Sequence, residues 1–378
     1  MAEHSTIEWT DATWNPITGC TIVDAGCTNC YAMALAGSRL RNHPSRAGLT
    51  RVTGGRSKWT GEVRLNEQWM DQPLRWSRPR RIFVCAHGDL FHEAVPDEWI
   101  DRVFAVMALA PQHTFQVLTK RPERARAYLM GFNCDGARCL NIAHAAGCMM
   151  DNGDNAFDAV CTAPWPLPNV WLGTSASDQA SADLRIPHLL AAPAAVRFLS
   201  AEPLLGPLNL LVTDSRGQDI SALRGIACDP TASEVADQYY RTNRLDWVIV
   251  GGESGPGARP MHPDWARSLR DQCVAAGVPF FFKQWGEWGG GSVNMTTGAP
   301  VFRAFPNFQT WVNKASTWVN GGICLDAKGR QCRTGADMMR ARDEDAFPVT
   351  IMHRAGKSRA GRLLDGQTWD QMPEVRHD

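Results

Sequence analysis

Three cysteines fall within eleven residues: Cys20, Cys27 and Cys30, spaced C-x6-C-x2-C. Thiolates are soft ligands that select zinc, copper(I) or iron–sulfur clusters. Three of them with no nearby fourth suit a cluster that keeps one metal position open, where a small molecule can be chelated and reduced. A closed structural zinc would need a fourth ligand from elsewhere in the chain. The stretch lies between an aromatic, turn-rich run, Trp9 to Gly19, and a segment from Asn29 to Arg41 that reads as a short helix.

The elements that would position these thiols follow a rhythm. Short apolar runs alternate with helix-length segments. The runs are 81–85, 114–118, 170–173, 196–199, 247–250 and 279–282, preceded by a strand before Cys20. The predicted helices are 97–109, 122–130, 178–190 and 263–276, two of them with Pro at the first position. Nearly all-apolar strands alternating with helices predict a parallel sheet. Polar or ionisable groups follow every strand: His87 and Asp89, Lys120, Ser175 and Ser177, Glu202, Glu253 and Ser254, Lys283 and Gln284. A (β/α) barrel builds its active site in that way, whereas an open doubly wound sheet does so only around a switch point. The expected fold is therefore α/β, a partial (β/α) TIM-like barrel over residues 1–285.

Two stretches interrupt the rhythm, about 133–168 and 213–245, and both read as insertions. The first holds Cys134, Cys139, Cys148 and Cys161 with His144, in a spacing that matches no zinc signature. The segment 42–58 reads as a loop and 62–76 as a helix. Arg75, Arg78, Arg80 and Arg81 surround Trp76 in a small basic cluster. Residues 286–378 lack the rhythm and read as an irregular C-terminal extension packed on the barrel.

Composition sets bounds. Lys plus Arg and Asp plus Glu both number 39, so bulk charge announces neither nucleic acid nor a membrane. No apolar run approaches a membrane span. The N-terminus lacks the basic and apolar regions of a secretory signal. Twelve cysteines without such a signal point to reduced thiols, metal binding and the cytoplasm.

Longer motifs carry a resemblance. Ile7 to Pro16, Thr18-Gly-Cys20 with Cys27 and Cys30-Tyr31, Asp89-Leu-Phe-His92, Leu118-Thr-Lys-Arg-Pro122 and Ser200 to Gly206 resemble the phage-associated three-Cys-motif proteins. So do Val250 to Arg259, Phe281 to Gly286 and Ala360 to Gly366. That family resembles an outlying branch of the radical S-adenosylmethionine (SAM) enzymes. The resemblance implies a partial barrel of the radical SAM type, a [4Fe–4S] cluster on Cys20, Cys27 and Cys30, and SAM on the fourth iron. It implies cleavage of SAM to a 5′-deoxyadenosyl radical, with electrons from a donor such as flavodoxin or ferredoxin. Locally the chain is similar to spore photoproduct lyase, where a Tyr also follows the third cysteine, as Tyr31 does here. By that similarity Lys120 meets the SAM carboxylate, Ser175 or Ser177 lies at the next strand end, and Asp89 or Glu202 accepts from the SAM amine or ribose. Tyr31, Lys283 and Glu253 become the catalytic candidates, with Arg259, Gln284 and His92 as further substrate contacts. The first gap is six residues rather than the superfamily's usual three, and Asn29 stands where an aromatic residue is usual. A nucleic-acid or nucleotide substrate is the expectation. Two rivals stand beside it: a glycoside hydrolase using Glu202 and Glu253, and a non-catalytic zinc- or iron–sulfur-binding module for nucleic acid or assembly.

Overall fold

The computed structural model describes residues 5–131, 136–232 and 238–374, without the side chains of 315–318. Seven strands form the main sheet: β1 (Ala12–Trp14), β2 (Arg81–Val84), β3 (Thr114–Thr119), β4 (Val170–Ser175), β5 (Val196–Ala201), β6 (Trp247–Gly251) and β7 (Phe280–Gln284). Their order in the sheet is their order in the chain. A doubly wound sheet reverses direction at a switch point, and this one does not. The pairs β1–β2, β2–β3, β3–β4 and β6–β7 are parallel. The crossovers carry helices α2 (Asp97–Leu109), α3 (Pro122–Met130), α6 (Gln179–Ala191) and α7 (Pro263–Ala276), so the mixed α/β architecture is compatible with a partial (β/α) barrel. A short helix, α1 (Tyr31–Ala36), follows Cys30.

The chain divides into two compact units. Unit 1 comprises Met1–Ser175, Leu184–Leu199 and Thr242–Leu245; unit 2 comprises Ala176–Asp183, Ser200–Arg241 and Asp246–Asp378. In unit 1, β1 to β4 bury Trp14, Ile82, Val84, Phe115 and Leu172, and α2 lays Ile100, Val103, Phe104 and Met107 into the core. In unit 2, Trp247 to Val250 and Phe280 to Phe282 are almost fully buried, as an apolar run in a covered sheet requires.

Several expectations are corrected. The segment 62–76 is not one helix. It holds a two-residue strand, Arg64–Leu65, and 3-10 turns at Glu67–Trp69 and Gln72–Arg75. Asn66 anchors it there by donating to the Asn15 and Pro16 carbonyls at 3.1 and 3.3 Å. The segment 42–58 is not a plain loop, since Thr50–Thr53 and Arg56–Trp59 form an antiparallel hairpin across Gly54 and Gly55. The predicted helix 29–41 shrinks to six residues, ending at Gly37. The first interruption is a helical pair, α4 (Ala137–Met149) and α5 (Gly153–Thr162), with Ile142, Ala143 and Ala146 buried. The second contains a four-stranded antiparallel sheet. The C-terminal extension is not irregular. It holds a five-stranded sheet and its own core of Phe305, Cys324, Cys332, Met338, Val349 and Ile351. Its strands are two to six residues long, too short for a visible alternation.

No helix among the described residues is long and apolar enough to cross a membrane.

Candidate functional site

The cysteine loop belongs to unit 1 and begins at the end of β1. Ile17–Thr18 pairs with Arg64–Leu65 and delivers the chain to Gly19. Gly19 has φ +98°, and a Cβ there would stand 2.1 Å from the Glu62 carbonyl oxygen, so no other residue fits. Its N–H donates to the His87 carbonyl at 3.2 Å, laying the loop against the turn that follows β2.

Cys20 follows directly. Cys27 closes a 3-10 turn, Ala25–Cys27, and Cys30 caps α1. Cys20 and Cys30 pack against a small core of Ala32, Met33, Ala36, Leu49 and Trp59. Burial pushes the Cys20 thiol up to about 12, Asp89 and the other two thiols add to the rise, and Arg121 opposes it. Burial also raises Cys30, against the N–H groups of Met33 and Ala32 at the start of α1. Such thiols hold their protons at neutral pH and release them to a metal.

Among the described residues, no three His, Cys, Asp or Glu side chains converge closely enough to hold one metal ion. The three thiols are the kind and number of ligands that a [4Fe–4S] cluster with an open iron takes, and in this structure they are not gathered into a metal-binding group.

Two cations from the end of β3 organise the loop. Lys120 Nζ reaches both carboxylate oxygens of Asp24, inside the cysteine loop, at 2.8 and 3.1 Å. Asp24 also pairs with Arg185, whose Nη1 donates to the Ser175 carbonyl at 2.8 Å. Burial alone would raise the Asp24 carboxyl, but Lys120 and Arg185 bring it down to about 2. Arg121 is buried and fully engaged: Nη1 to Asp89 at 2.9 Å and to Cys20 Sγ at 3.8 Å, Nε to Glu93 at 2.7 Å, and Nη2 to Thr21. Asp89 accepts four bonds, from Thr119 Oγ1 at 2.7 Å, Phe91 N at 3.0 Å, Lys120 N at 3.1 Å and Arg121. Those donors fill a carboxylate's acceptor sites. Asp89 therefore holds the two strand ends together.

A family model described as "Protein of unknown function (DUF5131)" matches residues 4–373. The chain belongs to that family. No curated protein and no solved structure matched the chain.

The remaining candidates divide between the units. Tyr31 is half-exposed, and its hydroxyl donates to the Ala86 carbonyl at 2.6 Å with the ring edge-on to His87. His92 is buried, with Nδ1 accepting from Ala94 N. Ser175 closes β4 in unit 1. Unit 2 gathers its own strand-end groups. Lys283 Nζ lies 3.0 Å from Glu202 Oε1, and Ser200 Oγ donates to Glu202 Oε2 at 3.3 Å. Glu253 is buried and accepts from Arg259 N, Nε and Nη2 at 2.8, 2.9 and 2.6 Å. Gln284 donates to Ser254 Oγ at 2.9 Å. The Ser177 hydroxyl is buried and has no hydrogen-bond partner among the described residues. Each glutamate of the glycoside hydrolase rival is thus paired with a cation. Cys139, Cys148 and Cys161 are free thiols, Cys148 Sγ lies 3.7 Å from His144 Nδ1, and Cys134 lies outside the described residues.

Asp24, Arg121 and Arg185 escaped the sequence reading. Arg121 stands inside the Leu118 to Pro122 motif, so a signal existed for it. Nothing local marks Asp24 or Arg185, because their partners are distant in sequence.

Proposed function

We propose that this protein is a radical SAM-type enzyme whose Cys20, Cys27 and Cys30 hold a [4Fe–4S] cluster. The observation that supports the reading most is the convergence of Arg121 on Cys20 and of Lys120 on the cysteine loop. Held by Cys20, Cys27 and Cys30 together with SAM, such a cluster would supply one-electron radical chemistry.

The chain's own residues do the rest. The thiols give up their protons on loading. Arg121 donates to Cys20 sulfur, and such hydrogen bonds tune a cluster's potential. Lys120 is the cation for the SAM carboxylate. Within the same unit, Ser175 is the further cofactor contact and Tyr31 serves the substrate. The electron donor is a flavodoxin- or ferredoxin-like protein, the substrate a nucleic acid or nucleotide, and the site of action the cytoplasm.

Iron and sulfide content after anaerobic reconstitution test the reading. About four irons per chain, with brown colour lost in Cys27→Ala, is the expected result. A colourless protein carrying stoichiometric zinc overturns it in favour of a non-catalytic zinc module.

A further inference from the structure

No acidic residue occurs between Asp24 and Glu62, while Arg39, Arg41, Arg46, Arg51, Arg56 and Lys58 all do. In a chain of zero net charge this is a pronounced local imbalance. Arg46 is spent inside the fold, on Ser45 Oγ at 2.6 Å and His87 Nδ1 at 3.3 Å. Arg39, Arg41, Arg51 and Arg56 are exposed and Lys58 is half-buried. None of these five forms an ion pair among the described residues. In the cluster around Trp76, by contrast, Asp71 pairs with Arg75 and Asp11 with Arg81.

Three of the five cations sit on the hairpin. Arg51 stands directly opposite Lys58, and Thr53 opposite Arg56. Residues two apart share a face of a strand, so Arg51, Lys58 and Arg56 share one. The other face carries Thr50, Val52, Ser57 and Trp59. Trp59 is buried, and a Cβ on Gly37 at the end of α1 would stand 1.9 Å from Ser57 Oγ. The hairpin is therefore seated on α1 by one face and shows its cations on the other. Like charges directly opposite on paired strands are destabilising. Here no acidic side chain relieves them, and a polyanion would.

We infer that this hairpin is a contact surface for the phosphate backbone of a nucleic acid. The inference deepens the function proposed above, and rests on it for what the bound strand is presented to. Leu49 and Trp59 share one core with Cys20 and Cys30, so the spacing from basic face to cysteine loop is fixed by packing. Four of the five cations are arginines, whose planar fork matches phosphate oxygens. A two-stranded ribbon also fits a major groove. An anionic membrane suits the surface less well, because Val52 is the hairpin's one exposed large apolar side chain and a single such residue anchors nothing.

The test is fluorescence anisotropy on the full chain with labelled double-stranded DNA, single-stranded DNA and single-stranded RNA, across a salt series. We expect binding to at least one of them that weakens steeply between about 50 and 200 mM salt. The triple variant Arg51→Gln, Arg56→Gln, Lys58→Gln should weaken it by about tenfold or more at low salt. It should also lower the slope of log affinity against log salt by about 2 to 3. Its unfolding midpoint should match or exceed that of the parent, because removing like-charge repulsion costs no packing. Absence of binding to all three probes, or a triple variant that binds as the parent does, overturns the inference. Sedimentation with phosphatidylserine vesicles in place of nucleic-acid binding also overturns it. Repeating the titration on Cys27→Ala protein separates the two readings. Binding that persists when the protein takes up no iron leaves the hairpin surface standing without the radical chemistry.

Discussion

Lys120 Nζ lies 2.8 Å from Asp24 Oδ1, joining the end of β3 to the middle of the cysteine loop. Both side chains are less than one-fifth exposed, so the pair is worth more than a surface salt bridge. Asp24→Asn leaves Lys120 and Arg185 without their shared carboxylate. We expect a loss of about 1–3 kcal/mol in denaturant unfolding, between the values for exposed and fully buried pairs. Faster alkylation of Cys20 and Cys27 should accompany it. Unchanged stability and thiol reactivity would show that the loop holds itself.

The same pair sets an acid limit. The Asp24 carboxyl is held down to about 2 from its ordinary 3.8. A depressed carboxylate contributes stability that is complete above its unfolded value and is lost as pH falls through the folded one. Its contribution, about 2 kcal/mol, is therefore present above pH 4 and fades between about 4 and 2. Comparing parent and Asp24→Asn unfolding across that range measures it, and the two curves should converge at the acid end.

Histidine shapes the window above. Burial, with the Arg46 guanidinium beside it, brings His87 down to about 4. Burial lowers His92, His113 and His262 as well. The unfolded chain then binds more protons than the folded one between about pH 6.5 and 4, so stability rises with pH there. His87 alone accounts for about 3 kcal/mol across the window. An NMR titration should find its imidazole neutral at pH 5.5, and a His87 that titrates near 6.5 contradicts this.

Arg121 holds a buried carboxylate and a thiol together. Arg121→Met leaves Asp89 buried without its cation, which costs about 3–5 kcal/mol. Arg121→Lys restores a charge but not the fork that reaches Asp89, Glu93 and Thr21 together, so rescue should be partial. Chemical denaturation of both variants checks the ranking.

The close approach of Gly37 to Ser57 gives a steric test of the helix–hairpin seat. Gly37→Ala should destabilise by about 1–3 kcal/mol, with partial recovery when Ser57→Gly is added. Equal stabilities would mean that the hairpin is not seated there.

What the sequence made legible follows from chemistry repeated along the chain. Asp97–Leu109, Pro122–Met130 and Pro263–Ala276 match the predicted helices residue for residue, because each pairs a start signal with a periodic apolar face. The main strands were readable because their runs are almost wholly apolar. The hairpin was missed although Gly54-Gly55 between two β-prone runs is a turn signal. Its Arg and Lys residues masked the alternation. The C-terminal sheet was missed because Phe305, Cys324 and Ile351 reach one core from separate short strands. The three cysteines stood out at once, whereas Asp24 and Arg185 gain meaning only when folding brings them to one place.

Electron paramagnetic resonance of the reduced, reconstituted protein, recorded with and without SAM, tests the central claim most directly. The account predicts a cluster signal whose g values shift when SAM is added and which is absent in Cys27→Ala. A signal indifferent to SAM, or no cluster at all, would contradict it.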